Sequence, residues 1–167
     1  MPLRHTVYCK RSVAAVTPEK LLKHLEVLDF LTLGEDYGIS VEAVKASRPL
    51  RIKNIDPKQF RLYHLSYGEL DKRPVEIDRW EAEGQHRGAV EETLDNLRIE
   101  DMARVKRISD FLRQSVDSVS VSFGTDPPAA MYAWEVVRYF ASEFDGIVKA
   151  DDGEWLTIGD DYQPTPA

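Results

Sequence analysis

The sequence predicts an α+β fold, with a mixed and largely antiparallel sheet and with helices packed on one of its faces. Two observations lead to this prediction. A strand, helix, strand order occurs near each end of the chain, and three strand-like runs separated by turn residues lie between them. Right-handed crossovers would place both terminal helices on the same face of one sheet.

The first third of the chain contains the first strand, helix, strand unit. Residues 3–9 alternate as a short strand does, and the Thr-Pro pair at 17–18 begins a helix because the hydroxyl caps it and proline fits its first turn. We expect a brief strand at 30–33. A short helix capped by its first residue, a serine, is expected over 40–45.

The centre of the chain predicts an antiparallel meander followed by helix. Strand-like runs occupy 50–55, 60–67 and 75–80, and the segments between them contain turn residues. Residues 88–115 have helical periodicity, but the apolar stripe shifts near Arg98. The pattern therefore fits either one bent helix or two helices.

The last third predicts a strand, a helix and a hairpin. Residues 118–123 alternate cleanly, as a strand with one buried and one solvent-facing side does. A helix begins at the Asp-Pro-Pro run of 126–128 and stops at Gly146, a left-handed residue, and a hairpin covers 147–158. The whole arrangement indicates a ferredoxin-like fold or an elaboration of it.

The size and composition of the chain are those of one globular domain. It has 167 residues, of which 43% are hydrophobic and 31% charged. We expect a single domain over 1–160 and a frayed tail at 161–167. No apolar run approaches the ~20 residues that a membrane helix needs, so we expect no membrane partner. The single cysteine and the polar start of the chain favour a cytoplasmic protein.

Negative charge is concentrated near the carboxyl end. Between Glu143 and Asp161 there are seven acids and one base, Lys149, so this segment carries −6 of the formal net charge of −7. Such a field attracts cations and basic partners and repels nucleic acid. A simpler interpretation is that Asp151, Asp152 and Gly153 only form a turn and that the remaining acids are solvated. The spacing lacks the alternating ligands of an EF-hand loop, so a calcium site is disfavoured.

We therefore predict a surface that binds a basic partner. Charges would steer the encounter, and two aromatic residues would supply contact area. The predicted partner-binding residues are Asp151, Asp152, Glu154, Trp155, Asp160, Asp161 and Tyr162. By its physical character the chain is expected to be a non-enzymatic cytosolic binding protein, such as a toxin-neutralising immunity protein.

The sequence predicts no catalytic residue, no metal ligand and no cofactor. The histidines contain no pair at the helical spacing that metal sites favour, and no glycine-rich phosphate loop or nucleophile elbow occurs. His5 and Cys9 lie about 13 Å apart along one strand, too far for a hydrogen bond. An enzyme or small-molecule sensor with a pocket between sheet and helices remains the alternative, with His64 beside Cys9 as its polar groups. The aromatic residues Trp134, Tyr139, Phe140, Phe144 and Trp155 could line a ligand pocket, but we expect them to be core, where the last helix packs on the sheet.

A second alternative is single-stranded nucleic-acid binding through the stretch from Lys45 to Arg61. It holds six bases and one acid, with Phe60, Tyr63 and Tyr67 in it or close by. Basic rims around exposed aromatic residues hold RNA in small α+β modules, although the acidic pI of about 5.1 argues against nucleic acid. A homodimer is compatible with each alternative. Its predicted contacts are Tyr63 and Leu65 on one face of the meander, or Phe60 and Leu62 on the other.

Overall fold

A computed structural model describes residues 2–56, 61–68, 73–80 and 85–167. Within these ranges one sheet contains eight strands: β1 Leu3–Cys9, β2 Leu50–Asn54, β3 Leu62–Tyr67, β4 Val75–Trp80, β5 Asp117–Phe123, β6 Gly146–Lys149, β7 Trp155–Ile158 and β8 Pro164–Pro166. Six helices accompany it: α1 Pro18–Glu26, α2 Phe30–Asp36, α3 Val41–Ala46, α4 Arg87–Asp95, α5 Met102–Gln114 and α6 Pro127–Glu143.

The α+β class and the antiparallel sheet are confirmed. The strand order is β2-β3-β4-β5-β1-β6-β7-β8, and each described pair of neighbours is antiparallel. The four central strands, β4-β5-β1-β6, have the order of a split β-α-β arrangement. The more specific ferredoxin-like classification stays a prediction.

Local side chains cap two of the six described helices where the sequence indicated. The hydroxyls of Thr17 and Ser40 cap α1 and α3 as expected. The strand predicted at 30–33 is wrong, because these residues belong to α2. The Asp29 carboxylate accepts the backbone N–H of Thr32 at 3.2 Å and so stabilises the start of a helix, where the apolar residues that follow had indicated a strand.

The two remaining questions of the central region are answered by the structure. The meander is confirmed as β2, β3 and β4, although the predicted start of its second strand at Phe60 lies outside the described residues. The helical stretch forms two helices, α4 and α5. Asp101 begins the second by accepting the N–H groups of Ala103 and Arg104.

Helices cover both faces of the sheet instead of the one face expected. In β1, Val7 and Cys9 point to one face and Tyr8 to the other, and all three are buried. Helices α1, α2, α3 and α6 cover the first, here called the α6 face. Helices α4 and α5 cover the second, here called the α5 face, where Tyr8 packs with Ile147 and Trp155.

The strand β5 differs from its prediction for the same reason. Its alternating serines were expected to face solvent, but Ser118 and Ser122 are only 3% and 7% exposed. The side chain of Arg4 donates to Ser122 Oγ at 3.3 Å across the strand pair. Period-two alternation thus indicated a strand correctly, but it did not reveal that both sides are covered.

Gly146 acts through its small size, since the left-handed residue at the end of α6 is Asp145, with φ of 49°. A Cβ atom on Gly146 would lie 2.6 Å from Val7 Cγ1 and 3.0 Å from Ala141 Cα. Gly146 therefore allows β6 to approach both β1 and α6 closely. The predicted left-handed stop at this glycine is corrected accordingly.

The C-terminal residues, which we expected to fray, form the edge strand β8. Thr165 pairs with Thr157 of β7, and the backbone N–H of Ala167 donates to Trp155 O at 2.9 Å. The Arg104 side chain donates to Ala167 O at 2.7 Å and to Trp155 O at 3.1 Å. A long-range side chain therefore fixes a segment whose own composition, with two prolines, favours fraying.

Candidate functional site

The predicted acidic surface is divided between the two ends of β7. Asp151, Asp152 and Glu154, here called the hairpin group, lie in the turn between β6 and β7. Asp160 and Asp161 lie in the turn between β7 and β8. All five are exposed. Because β7 has four residues, about 13 Å of strand separates the two turns.

Two further acids of the segment lie near the second turn. Glu143 ends α6, and Asp145 precedes Gly146, which is the residue of β6 nearest the end of β7. Both are exposed. With Asp160 and Asp161 they form what we call the tail group. The structure therefore presents two acidic patches at opposite ends of β7, beside the β8 edge of the sheet, where the sequence had suggested one.

Most of these carboxylates are not neutralised by the protein's own cations. Among the described residues, Glu154 alone of the seven acids pairs with a lysine or arginine, at 3.7 Å from Arg104 Nη2. Asp151 Oδ1 lies 3.6 Å from His5 Nδ1. Burial lowers the pKa of this imidazole, against the opposing fields of Asp151 and Asp152, so it is mainly neutral at pH 7. The hairpin group thus keeps negative charge for an external partner.

The aromatic residues predicted as anchors have different positions. Trp155 is 3% exposed and its ring centroid lies 5.9 Å from that of Tyr8 on the α5 face, so it is core and offers no contact area to a partner. Tyr162 is half-buried, with φ of 65°. Its hydroxyl lies 3.4 Å from His24 Nε2, and burial raises the pKa of its phenol. Only Tyr162 keeps part of its surface near the acids.

A groove of about 470 Å³ opens on the α6 face beside the hairpin group. This volume lies within the roughly 300–1,000 Å³ typical of ligand pockets. We call it the Trp134 groove; its lining residues are Leu3, His5, Tyr37, Phe123, Ala130, Trp134, Ala150, Asp151, Asp152, Leu156 and Pro164. It is mainly apolar, with two carboxylates of the hairpin group in its wall.

The aromatic part of this groove comes from four separate elements. His5 of β1 packs against Phe123, at the end of β5, with ring centroids 4.8 Å apart. Trp134 of α6 meets the same imidazole edge-on at 5.2 Å. Tyr37, just after α2, completes the aromatic lining. The groove therefore exists only where β1, β5, α2 and α6 come together.

A hydrogen bond joins the aromatic lining to the acidic turn. The backbone N–H of Asp151 donates to His5 Nδ1 at 3.1 Å. Within the turn, Asp152 Oδ1 accepts the N–H of Glu154 at 2.9 Å, and Gly153 adopts φ of 88°. These contacts hold the two aspartates at the edge of the groove, so negative charge and aromatic surface form one continuous feature.

Sequence reasoning identified Trp134 as pocket lining or core, and in the structure it is partly buried, packs against the core and lines the groove. His5 was considered as a catalytic group, and Trp134 was expected to be core together with Phe140 and Trp155. Phe140 is indeed buried on the α6 face, whereas Trp155 lies on the opposite face of the sheet. The one available signal was the four-residue spacing of Ala130 and Trp134, which puts both on one side of α6.

The polar groups of the enzyme alternative do not meet. Strand β3, which carries His64, is separated from β1 by two strands, or about 14 Å between strand axes. Cys9 faces the α6 side and is fully buried, and burial raises the pKa of its thiol, so no reactive thiolate forms. In the described part of the chain, no three His, Cys, Asp or Glu residues are grouped as metal ligands.

The tyrosines of the basic stretch are unavailable for base stacking. Tyr63 and Tyr67 are 2% and 1% exposed, and their hydroxyls donate to Val16 O and to the Asp126 carboxylate. Leu65 is also fully buried, so Tyr63 and Leu65 cannot form the contacts of a homodimer. Phe60, named in both alternatives, lies outside the described residues.

Comparison of the chain with protein-family models, with curated proteins and with solved structures found no match. No helix in the described ranges is both long enough and apolar enough to cross a membrane.

Proposed function

We propose that this protein is a non-enzymatic binding protein that docks a basic macromolecular partner through the hairpin group and the adjoining Trp134 groove. The biological role that we propose is neutralisation of a toxin, as by a cytoplasmic immunity protein. The observation that supports it is the position of Asp151 and Asp152. Both are exposed, and neither forms an ion pair with a lysine or arginine among the described residues.

Charge and aromatic surface have separate tasks in such an interface. Carboxylates at the rim increase the rate of encounter and select partners of opposite charge. Contact energy comes mainly from a few aromatic and arginine residues that become desolvated. The Trp134 groove supplies aromatic surface directly beside the charges, which a solvated turn alone does not.

The tail group extends the same surface. A standard interface buries about 800 Å² on each partner, which is far more than one turn offers. The two acidic groups flank a single strand, β7, about 13 Å long. A basic partner lying along this sheet edge would meet both, with the hairpin group and groove as the central contact.

Two charge-matched variants test the proposal. The first replaces Asp151, Asp152 and Glu154 by lysine. The second makes the same replacement at Glu91, Glu92 and Asp95, three exposed acids of α4. Each variant changes the formal net charge from −7 to −1, since every replacement adds two charges.

Binding of dodeca-arginine is measured by calorimetry at about 0.05 M salt, where screening is weak. We expect the hairpin variant to lose at least about tenfold in affinity, because it loses three carboxylates and gains three repelling ammonium groups. The α4 variant should retain most of the binding. Equal losses in both variants would mean that only net charge matters, and no loss in either would remove the hairpin group as the docking surface. Thermal unfolding of each variant checks that the fold is kept.

A further inference from the structure

We infer that the Trp134 groove binds an arginine side chain of the partner, with its guanidinium stacked on the aromatic lining and hydrogen-bonded to Asp151 and Asp152. This inference rests on the proposed function and specifies its central contact. It also predicts a preference that charge attraction alone does not produce, namely arginine over lysine.

The lining has the surface that a guanidinium needs. The ring centroids of Phe123 and Trp134 lie 4.8 Å and 5.2 Å from that of His5. His5 and Phe123 are only 6% and 2% exposed and form the floor of the groove, so the surface for stacking comes from the partly buried Trp134 and Tyr37. Planar guanidinium groups stack on such rings and are less strongly hydrated than ammonium groups. The protein itself stacks arginine in this way, since Arg79 Cζ lies 4.6 Å from the ring centroid of Tyr63.

The charges around the groove favour a cation. Asp151 and Asp152 are both in its wall and both exposed. The resident imidazole, His5, is held mainly neutral by the burial that lowers its pKa. The nearest arginine of α6, Arg138, lies 5.8 Å from the Trp134 ring centroid, but Glu135 Oε1 is 3.8 Å from its Nε. Burial raises the pKa of the Glu135 carboxyl against the field of Arg138, so Glu135 balances that positive charge only in part. The two exposed carboxylates of Asp151 and Asp152 outweigh the remaining charge of Arg138.

The presence of two aspartates side by side in the chain at the groove favours a forked donor. A guanidinium presents five N–H donors in a plane and can bond two carboxylates, whereas an ammonium is a point charge. One oxygen of Asp152 is already used by the Glu154 N–H, at 2.9 Å. Its other oxygen and the Asp151 carboxylate remain to accept bonds from the ligand. The groove, at about 470 Å³, has room for the side chain and for ordered water.

The test compares three dodecapeptides of arginine, lysine and citrulline, the last being a neutral analogue of arginine. Affinity is measured by calorimetry, and the indole N–H resonances of Trp80, Trp134 and Trp155 are followed by NMR. A Trp134→Leu variant identifies its own resonance. Trp155 is buried on the other face and Trp80 lies on β4, so both serve as internal references.

We expect the arginine peptide to bind about three- to tenfold more tightly than the lysine peptide, from the added stacking. It should shift the Trp134 resonance selectively. The double variant Asp151→Asn, Asp152→Asn should lose this preference, because the amide keeps the turn contact but removes both charges. Citrulline should bind weakly.

Each contrary result has a distinct meaning. Equal affinity for arginine and lysine without a Trp134 shift overturns the inference but leaves the proposed function standing, since docking would then depend on charge alone. Equal affinity for citrulline also overturns it, because the groove would take a neutral group. Failure of all peptides to bind the wild-type protein overturns both proposals.

Discussion

Replacing Gly146 by alanine should destabilise the protein through a collision in its core. The added Cβ would lie 2.6 Å from Val7 Cγ1, whereas ordinary contacts begin near 3.4 Å. The two atoms must therefore separate by at least about 0.8 Å. On the other side, Ala141 Cα is only 3.0 Å away and Tyr8 O is 3.4 Å away. These two are backbone atoms, and Val7 is a fully buried side chain with a stiff branched Cβ, so neither side offers an easily displaced neighbour.

The expected cost follows from this confinement. Overpacking of a well-packed core typically costs about 1–3 kcal/mol, and the position lies between β1, β6 and α6. For a chain of this size, each kcal/mol lowers the melting temperature by about 2–4 °C. Urea unfolding followed by circular dichroism would measure the loss in the free energy of unfolding, with the slope of the transition expected to be unchanged.

Gly88 provides the matched control. It lies in α4, it is exposed, and no atom of the described residues would lie within 4 Å of a Cβ added there. Gly88→Ala should therefore stabilise the protein by about 0.5–1 kcal/mol through helix propensity. If the Gly146→Ala variant were as stable as the wild type, the reasoning would be refuted. The glycine would then not be required by the close approach of β6 to β1 and α6.

Three other outcomes are expected. Burial lowers the pKa values of His5, His24 and His86, so protonation favours the unfolded state. The free energy of unfolding should therefore be highest above the ordinary pKa of 6.5 and should fall as the pH drops through it. Urea midpoints at about pH 7.5 and about pH 5 would measure this change, and equal midpoints would contradict it. Arg104→Gln should leave the sheet intact but increase amide hydrogen exchange in β7 and β8, since Ala167 O loses its side-chain donor and Trp155 O keeps only the N–H of Ala167. Unchanged exchange would mean that strand pairing alone holds the C-terminal residues. Tyr63→Phe should cost about 1 kcal/mol, because its hydroxyl donates to a buried carbonyl at 2.9 Å, and no loss in thermal unfolding would show that bond to be unimportant.

The local interactions of the fold were accessible from the sequence. The Thr17 and Ser40 hydroxyls each accept a backbone N–H only three residues further along the chain. Period-two alternation located β1 and β5. The predicted hairpin also implies that Asp151 and Asp160 lie at opposite ends of one strand. The error at α2 is of the same local kind, because Asp29 is a recognisable cap before an apolar run.

Sequence alone predicted most of the strands and helices, but not α2 or β8, and it showed that negative charge is concentrated near the carboxyl end. Tertiary structure decided which side of each strand is covered: Trp155 is buried under α5, and Ser118 is buried instead of wet. It also formed the groove, because His5 lies more than a hundred residues along the chain from both Phe123 and Asp151. Side-chain periodicity reports alternation within an element, whereas contacts between distant elements depend on strand order and on which helix packs over them.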